Sequence, residues 1–353
     1  MAQQFNPRSL ALAGEALPVA EQVQFAQGYA LAVFSVSPTG VLVYQPGSAA
    51  PGNLRWFDAN GKELSAPSEP GSYSSLRLSP DGQRLSVAIA DTQGDKMDLW
   101  LLDLTHHVRS RLTFEPGLNT FPVWSPDGTR VLFSSSRKGT GDLYWKLASG
   151  ASDEELLLEG LGNKRSTDWS RDGRNVAFQL NDGTGKTNWD IWILPLTGGP
   201  SGPHGAGQKP IPFLQSQFNE IGGVFSPDGR WMAYQSDETG AMEVYVAPFP
   251  GRGGKFLISS EGGRLPTWSP DGRQLFYLTL DNKLMAVDVS LGPTSIQHRT
   301  PRPLFATRVP SGVLGARGYD VAPGGGKFVT LDSAESSSDP VTLVVNWAAT
   351  LKK

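Results

Sequence analysis

Arg165, Arg264 and Arg317 share one register in this chain, and Lys164 precedes the first of them. Arg165, Arg264 and Arg317 stand five residues, and Lys164 six, ahead of a residue that opens a recurring tight turn, at 170, 269 and 322. Tyr73, Asn119 and Glu220 occupy the sixth position in other copies, with Asn219 beside the last. If the register holds, these side chains converge on one cationic site in which arginine forks would grip a carboxylate or a phosphate. Arg165, Arg264, Arg317, Lys164, Tyr73 and Asn119 are therefore the candidate ligand-binding residues. Two positions ahead of the turn, Asp168 and Asp320 replace the Val123, Val224 or Thr267 found in other copies. With Asn119, Asn219 and Glu220 they form the alternative, an oxygen-ligand set for calcium or another divalent ion, in which Asp168, Asp320 and Glu220 would be the catalytic carboxylates of a hydrolase.

Other chemistries have less to stand on. The chain has no cysteine, which removes disulfides, thiolate nucleophiles and cysteine metal sites together. Its histidines, His106, His107, His204 and His298, show no metal-ligand spacing. No Gly-x-Ser-x-Gly elbow occurs, and the aspartates of the recurring turns lack the Asp-x-Asp-x-Asp order of a calcium loop. A net charge of -3 leaves no basic footprint for nucleic acid and no polybasic membrane patch. The N-terminus has no basic-then-apolar signal region, and no stretch reaches the ~18 apolar residues of a membrane helix. A soluble monomer is expected.

The turns that would position these residues are Ser79-Pro80-Asp81-Gly82, Ser125-Pro126-Asp127-Gly128, Ser170-Arg171-Asp172-Gly173, Ser226-Pro227-Asp228-Gly229 and Ser269-Pro270-Asp271-Gly272. Proline presets φ for the turn, aspartate accepts from nearby backbone N–H groups, and glycine takes the left-handed conformation that closes the reversal. Worn copies at Ser37-Pro38-Thr39-Gly40 and Ala322-Pro323-Gly324-Gly325 extend the register to seven units, spaced by 42, 46, 45, 56, 43 and 53 residues. That spacing is the period of a propeller blade. An apolar strand precedes each turn, a second follows it as in Val131-Leu132-Phe133, a third reads Asp-hydrophobic-aromatic as in Asp190-Ile191-Trp192, and a shorter fourth closes the unit.

The expected fold is an all-β propeller of four-stranded antiparallel blades, seven by the turn count with six as the alternative, filling residues 1–353 as one domain. Blades would begin near 31, 74, 120, 166, 221, 265 and 318, and residues 8–23 would complete the last blade, because closure by both termini leaves no open sheet edge. The extra residues of the longer units fall in polar or Gly/Pro-rich loops, 197–210, 290–303 and 333–340.

The strand–Ser-Pro-Asp-Gly–strand pattern resembles the repeats of TolB-like β-propellers over nearly the whole chain. The ends, Ala2-Gln3-Gln4-Phe5-Asn6-Pro7 with Leu12 to Ala20 and the closing Leu343-Val344-Val345-Asn346-Trp347, are similar to the C-terminal propeller regions of acidobacterial-type receptor serine/threonine kinases. No kinase loop is present: there is no His-Arg-Asp and no Asp-Phe-Gly. That resemblance implies a piece of a longer parent, with the propeller outside the cytoplasm. The leading expectation is a non-catalytic sensor or interaction propeller that takes a small anionic ligand, a peptide or a protein at its top face, where the cationic residues would form a funnel at the mouth of the axial channel. The alternative shares only its architecture with propeller lactonases and phosphotriesterases, and would hydrolyse esters, lactones or phosphotriesters with an axial metal.

Overall fold

The computed structural model describes residues 2–17, 19–20, 23, 25–26, 31–32, 34–37, 39, 41–44, 52–91, 96–196, 209–251, 253–310, 315–333 and 341–347. Residues 197–208 and 334–340 of the expected loops, His204, and Pro38 and Gly40 of the first worn turn lie outside them. Among the described residues the regular structure is β-strand, and no helix is long and apolar enough to cross a membrane. Where one domain was expected, the chain forms two compact units: 51–310 with 314–333, and 1–50 with 311–313 and 334–353.

Among the described residues the larger unit holds six antiparallel sheets. Four follow chain order from an inner to an outer strand: Tyr73–Leu78 to Val108–Arg111, Asn119–Trp124 to Glu155–Leu158, Asn163–Trp169 to Ile211–Leu214, and Glu220–Phe225 to Phe256–Leu257. In the fifth, Arg264–Trp268, Gln274–Leu278, Lys283–Leu291 and Arg302–Ala306 pair in that order, and Ile296–His298 folds back on the long third strand. The sixth joins the two ends of the unit, in the order Tyr319–Val321, Lys327–Ser333, Gly52–Asp58, Glu63–Ser65. The six inner strands touch in sequence, and Tyr319–Val321 returns to Tyr73–Leu78, so the sheets form a ring.

Both faces of each sheet are covered by neighbouring sheets, which is why middle strands such as Trp231–Ser236 are buried at every position. Aromatic rings fill the wedges: Trp145 and Trp169 stack at 6.0 Å across the second and third sheets. Leu54, Val329 and Leu331 of the sixth sheet pack with Leu76, Leu85 and Val87 of the first, each side chain worth roughly 1.5–3 kcal/mol on burial.

The turns have the expected mechanics, with one addition. In Ser125 to Arg130, Asp127 Oδ1 accepts the Thr129 N–H at 3.0 Å and Gly128 has φ of 69°. The addition is the serine hydroxyl, which donates to Asp127 at 2.6 Å and accepts the Arg130 N–H at 2.9 Å. The worn turn at Ala322 keeps the reversal, its Gly325 N–H reaching the Ala322 carbonyl at 2.8 Å.

Strand pairing departs from the expected closure. Ala11–Leu17, within the segment 8–23 assigned to the last blade, pairs with Ala2–Asn6 instead. Gly52–Asp58 lies against Lys327–Ser333, from Gly52 opposite Ser333 to Asp58 opposite Lys327. The first unit, expected from near 31, is not a sheet of the ring: Val41–Tyr44 pairs with Phe34–Val36 on one side and Thr342–Val345 on the other, in a three-stranded sheet of the smaller unit. Composition explains the exchange. A third strand needs bulk on both faces, which Leu54, Trp56 and Phe57 supply, whereas Ala11–Leu17 is exposed at six of its seven positions.

Candidate functional site

The inner strands end at the turns, and two residues before each turn stand Arg77, Val123, Asp168, Val224, Thr267 and Asp320. Four of these six are polar. Arg77 Nη2 donates to Asp168 Oδ1 at 2.5 Å, and its Nε lies 3.7 Å from Asp320 Oδ2. Arg317 joins from the far end of its own segment, donating to Thr267 Oγ1 at 2.5 Å with Asp320 Oδ1 at 3.9 Å. The acids also stitch the ring: Asp168 Oδ2 accepts the Phe225 N–H at 2.8 Å, and Asp320 Oδ2 the Leu78 N–H at 2.9 Å. Each of these bonds links one sheet to the next.

Arg77, Asp168, Arg171, Thr267, Arg317 and Asp320 line a cleft of about 170 Å³ between the turns. Burial alone would lower the Arg77 pKa, but the charges of Asp168 and Asp320 outweigh it and hold the guanidinium above its usual value. Arg317 goes the other way. Burial first, and then the charge of Arg77, bring it down to about 10. Arg77 Nη1 is buried with no hydrogen-bond partner. The cleft therefore presents three guanidinium groups, those of Arg77 and Arg317 largely buried and that of Arg171 exposed, and two carboxylates, with one donor still to be matched.

Of the six candidate ligand-binding residues, only Arg317 reaches this cleft. Lys164 is fully buried 2.9 Å from Asp142, and its ammonium donates to the carbonyls of Gly160 and Gly162, so it ties a loop to its own sheet's neighbour. Arg165 stacks on Trp189 at 4.2 Å and Phe121 at 5.1 Å. Arg264 donates to the Asn282 side chain and to the Val309 carbonyl. Tyr73 hydroxyl donates to the Glu69 carbonyl at 2.6 Å. Asn119 donates to the Glu115 carbonyl at 3.2 Å and accepts from Arg137 at 3.3 Å. The funnel of four cations does not form: Lys164, Arg165 and Arg264 are engaged by loops of their own sheet or by the sheet beside it, and Arg317 alone reaches the cleft.

The alternative metal set is dispersed in the same way. Asn219 donates to Asp237 at 2.6 Å, and Glu220 accepts from Ser216 at 2.5 Å, while Asp168 and Asp320 face Arg77. Among the described residues no three His, Cys, Asp or Glu side chains are grouped to hold a metal ion. Arg77 is the residue that the sequence reading missed. The alignment that singled out Asp168 and Asp320 also puts Arg77 in their register, and an arginine among valines was the available signal.

Residues 57–198 match the model of the TolB beta propeller domain. An uncharacterised protein of Agrobacterium fabrum is 25% identical over 201 residues, covering 47% of this chain and 67% of that protein. The uncharacterised peptidase YuxL of Bacillus subtilis is 28% identical over 165 residues, 46% of this chain but 22% of YuxL. Among solved structures, a TolB-type chain from Agrobacterium tumefaciens superposes with a TM-score of 0.60 at 18% identity, over 82% of this chain and all of that one. Inner strands in a ring and four-stranded sheets agree with these matches: the larger unit has the β-propeller fold, and residues 57–198 within it match the TolB type.

Proposed function

We propose that this propeller binds rather than catalyses, and that its ligand is a small carboxylate-bearing molecule seated in the cleft of Arg77, Asp168, Arg317 and Asp320. The observation that carries the reading is the pair of buried guanidinium groups lining a 170 Å³ cleft, one of which keeps an unmatched donor at Nη1. A carboxylate there would accept that donor and relieve the mutual repulsion of Arg77 and Arg317. Asp168 and Asp320 hold the two arginines in place and would reject a ligand with the wrong charge on its flank. Hydrolysis has less behind it. The acids it needs are committed to Arg77 and to backbone N–H groups, and the peptidase relative is matched over under a quarter of its length.

The test is a thermal-shift titration with succinate, malate, glutamate and phosphate at constant ionic strength. A ligand that binds only the folded protein raises the midpoint with concentration. The expected result is a carboxylate-dependent rise in the wild type that is lost in Arg77→Ala and weakened in Arg77→Lys, which keeps the charge without the fork. A rise that persists in Arg77→Ala, or no rise with any of the four, overturns the assignment.

A further inference from the structure

A second, smaller space lies on the axis among the inner strands, about 20 Å³ in volume and lined in part by Ser75, Phe121, Thr167, Gly222, Leu265 and Arg317. It has room for one water-sized guest and for nothing polyatomic. Ser75 is 2% exposed and Thr167 7% exposed, and both side-chain hydroxyls are buried without a hydrogen-bond partner. Their neighbour Ser166 shows what satisfaction looks like here, donating to the Phe121 carbonyl at 2.6 Å. Two O–H groups left over around one small space call for a single shared acceptor.

The charge beside the space selects among acceptors. Arg77 draws both acids toward itself, at 2.5 and 3.7 Å, and leaves Arg317 with a hydrogen bond to the neutral Thr267 and no carboxylate closer than 3.9 Å. Arg317 is the less compensated of the two cations, in line with the lowering of its pKa by burial and by Arg77. It lines both the space and the turn-side cleft. A cation would be repelled there, and the apolar walls of Leu76, Val123 and Pro266 offer it no oxygen ligands. We propose that the axial space is a binding site for one halide ion, chloride in ordinary solution, held by the hydroxyls of Ser75 and Thr167 beside Arg317. A halide accepts several donors at once, matches the size of the space, and supplies the missing negative charge.

The deciding experiment is crystallography of the intact chain in sodium bromide, read by anomalous scattering, with thermal midpoints in chloride, bromide and methanesulfonate, which carries no carboxylate, at equal ionic strength. The expected result is a bromide peak between Ser75 and Thr167, and a halide-dependent midpoint that Ser75→Ala with Thr167→Val makes halide-independent. The bromide peak is read on the wild type, so a double variant that fails to fold leaves the decision intact. Ordinary water density at that position, with no anomalous signal and the same midpoint in methanesulfonate, overturns the proposal.

Discussion

Glu220 carries the least comfortable charge in the ring. It is 5% exposed, its Oε1 accepts from Ser216, and its Oε2 is buried with no partner. Burial pushes its pKa from 4.5 up to about 7, with the hydrogen bond from Ser216 opposing and the charges of Asp190 and Glu238 adding to the rise. A carboxyl whose pKa is raised in the folded state binds more protons folded than unfolded between those two values, so its contribution to stability falls as pH rises across that window. Glu220→Gln should remove this slope and leave the variant more stable than wild type at pH 8 by about 1–3 kcal/mol, with little difference at pH 4. Urea unfolding at the two pH values checks it, and parallel pH profiles for the two proteins would count against it. The same residue shows what sequence can and cannot locate. Register placed Glu220, Lys164, Arg165 and Arg264 together at strand starts, but whether a long side chain turns to the axis or to a nearby strand or loop depends on partners such as Asp142, Trp189 and Asn282, which lie on other strands and loops outside the repeat register. Asp168 and Asp320 were legible because an acid replaces valine at a position two residues before a turn, and Arg77 obeys the same rule.

At the scale of the element, the recurring turn is more than a reversal, since its serine is as deeply engaged as its aspartate. In the fourth sheet, Ser226 Oγ donates to Asp228 at 2.6 Å and accepts the N–H of the fully buried Trp231 at 3.0 Å. Ser226→Ala leaves that N–H without this acceptor in a dry environment, a loss of about 1–3 kcal/mol. Asp228 lies nearer to solvent, where its Oδ1 accepts the Arg230 N–H at 3.1 Å and water can substitute. Asp228→Asn should therefore cost less than Ser226→Ala when both are compared by urea midpoints, and the reverse order would show that the carboxylate, not the hydroxyl, organises the turn. Proline, aspartate and glycine announce such a turn from sequence alone through φ preference and capping. The serine's second bond was not legible, because it depends on how closely the following strand returns.

At the scale of the molecule, counting turns overstates the ring, since a hairpin outside it carries the same signature as one inside. Ser37 heads such a hairpin, its N–H reaching the Val41 carbonyl at 2.8 Å, yet its second strand, Val41–Tyr44, pairs with Thr342–Val345 in the smaller unit. Which segment completes the sixth sheet is a non-local choice, settled by the burial of Leu54 against Leu76 and Leu331 and not by any local pattern. The register in that sheet sets Arg55 opposite Thr330, joining points at nearly opposite ends of the chain. The absence of native cysteine makes this pairing testable with Arg55→Cys/Thr330→Cys, because only one intramolecular disulfide can form. Arg55 gives up a surface pair with Glu63, and both it and Thr330 withdraw support from the buried Asp332 carboxylate, a cost that the new bond must exceed. Closing so long a loop removes entropy from the unfolded chain, by up to about 5 kcal/mol where native geometry is undistorted. The oxidised double variant should unfold at a higher urea concentration than the same protein reduced, and the gain should vanish on adding reductant. Failure to form the bond in the folded protein would mean that residues 52–58 do not close the ring, and that another segment takes their place beside 327–333.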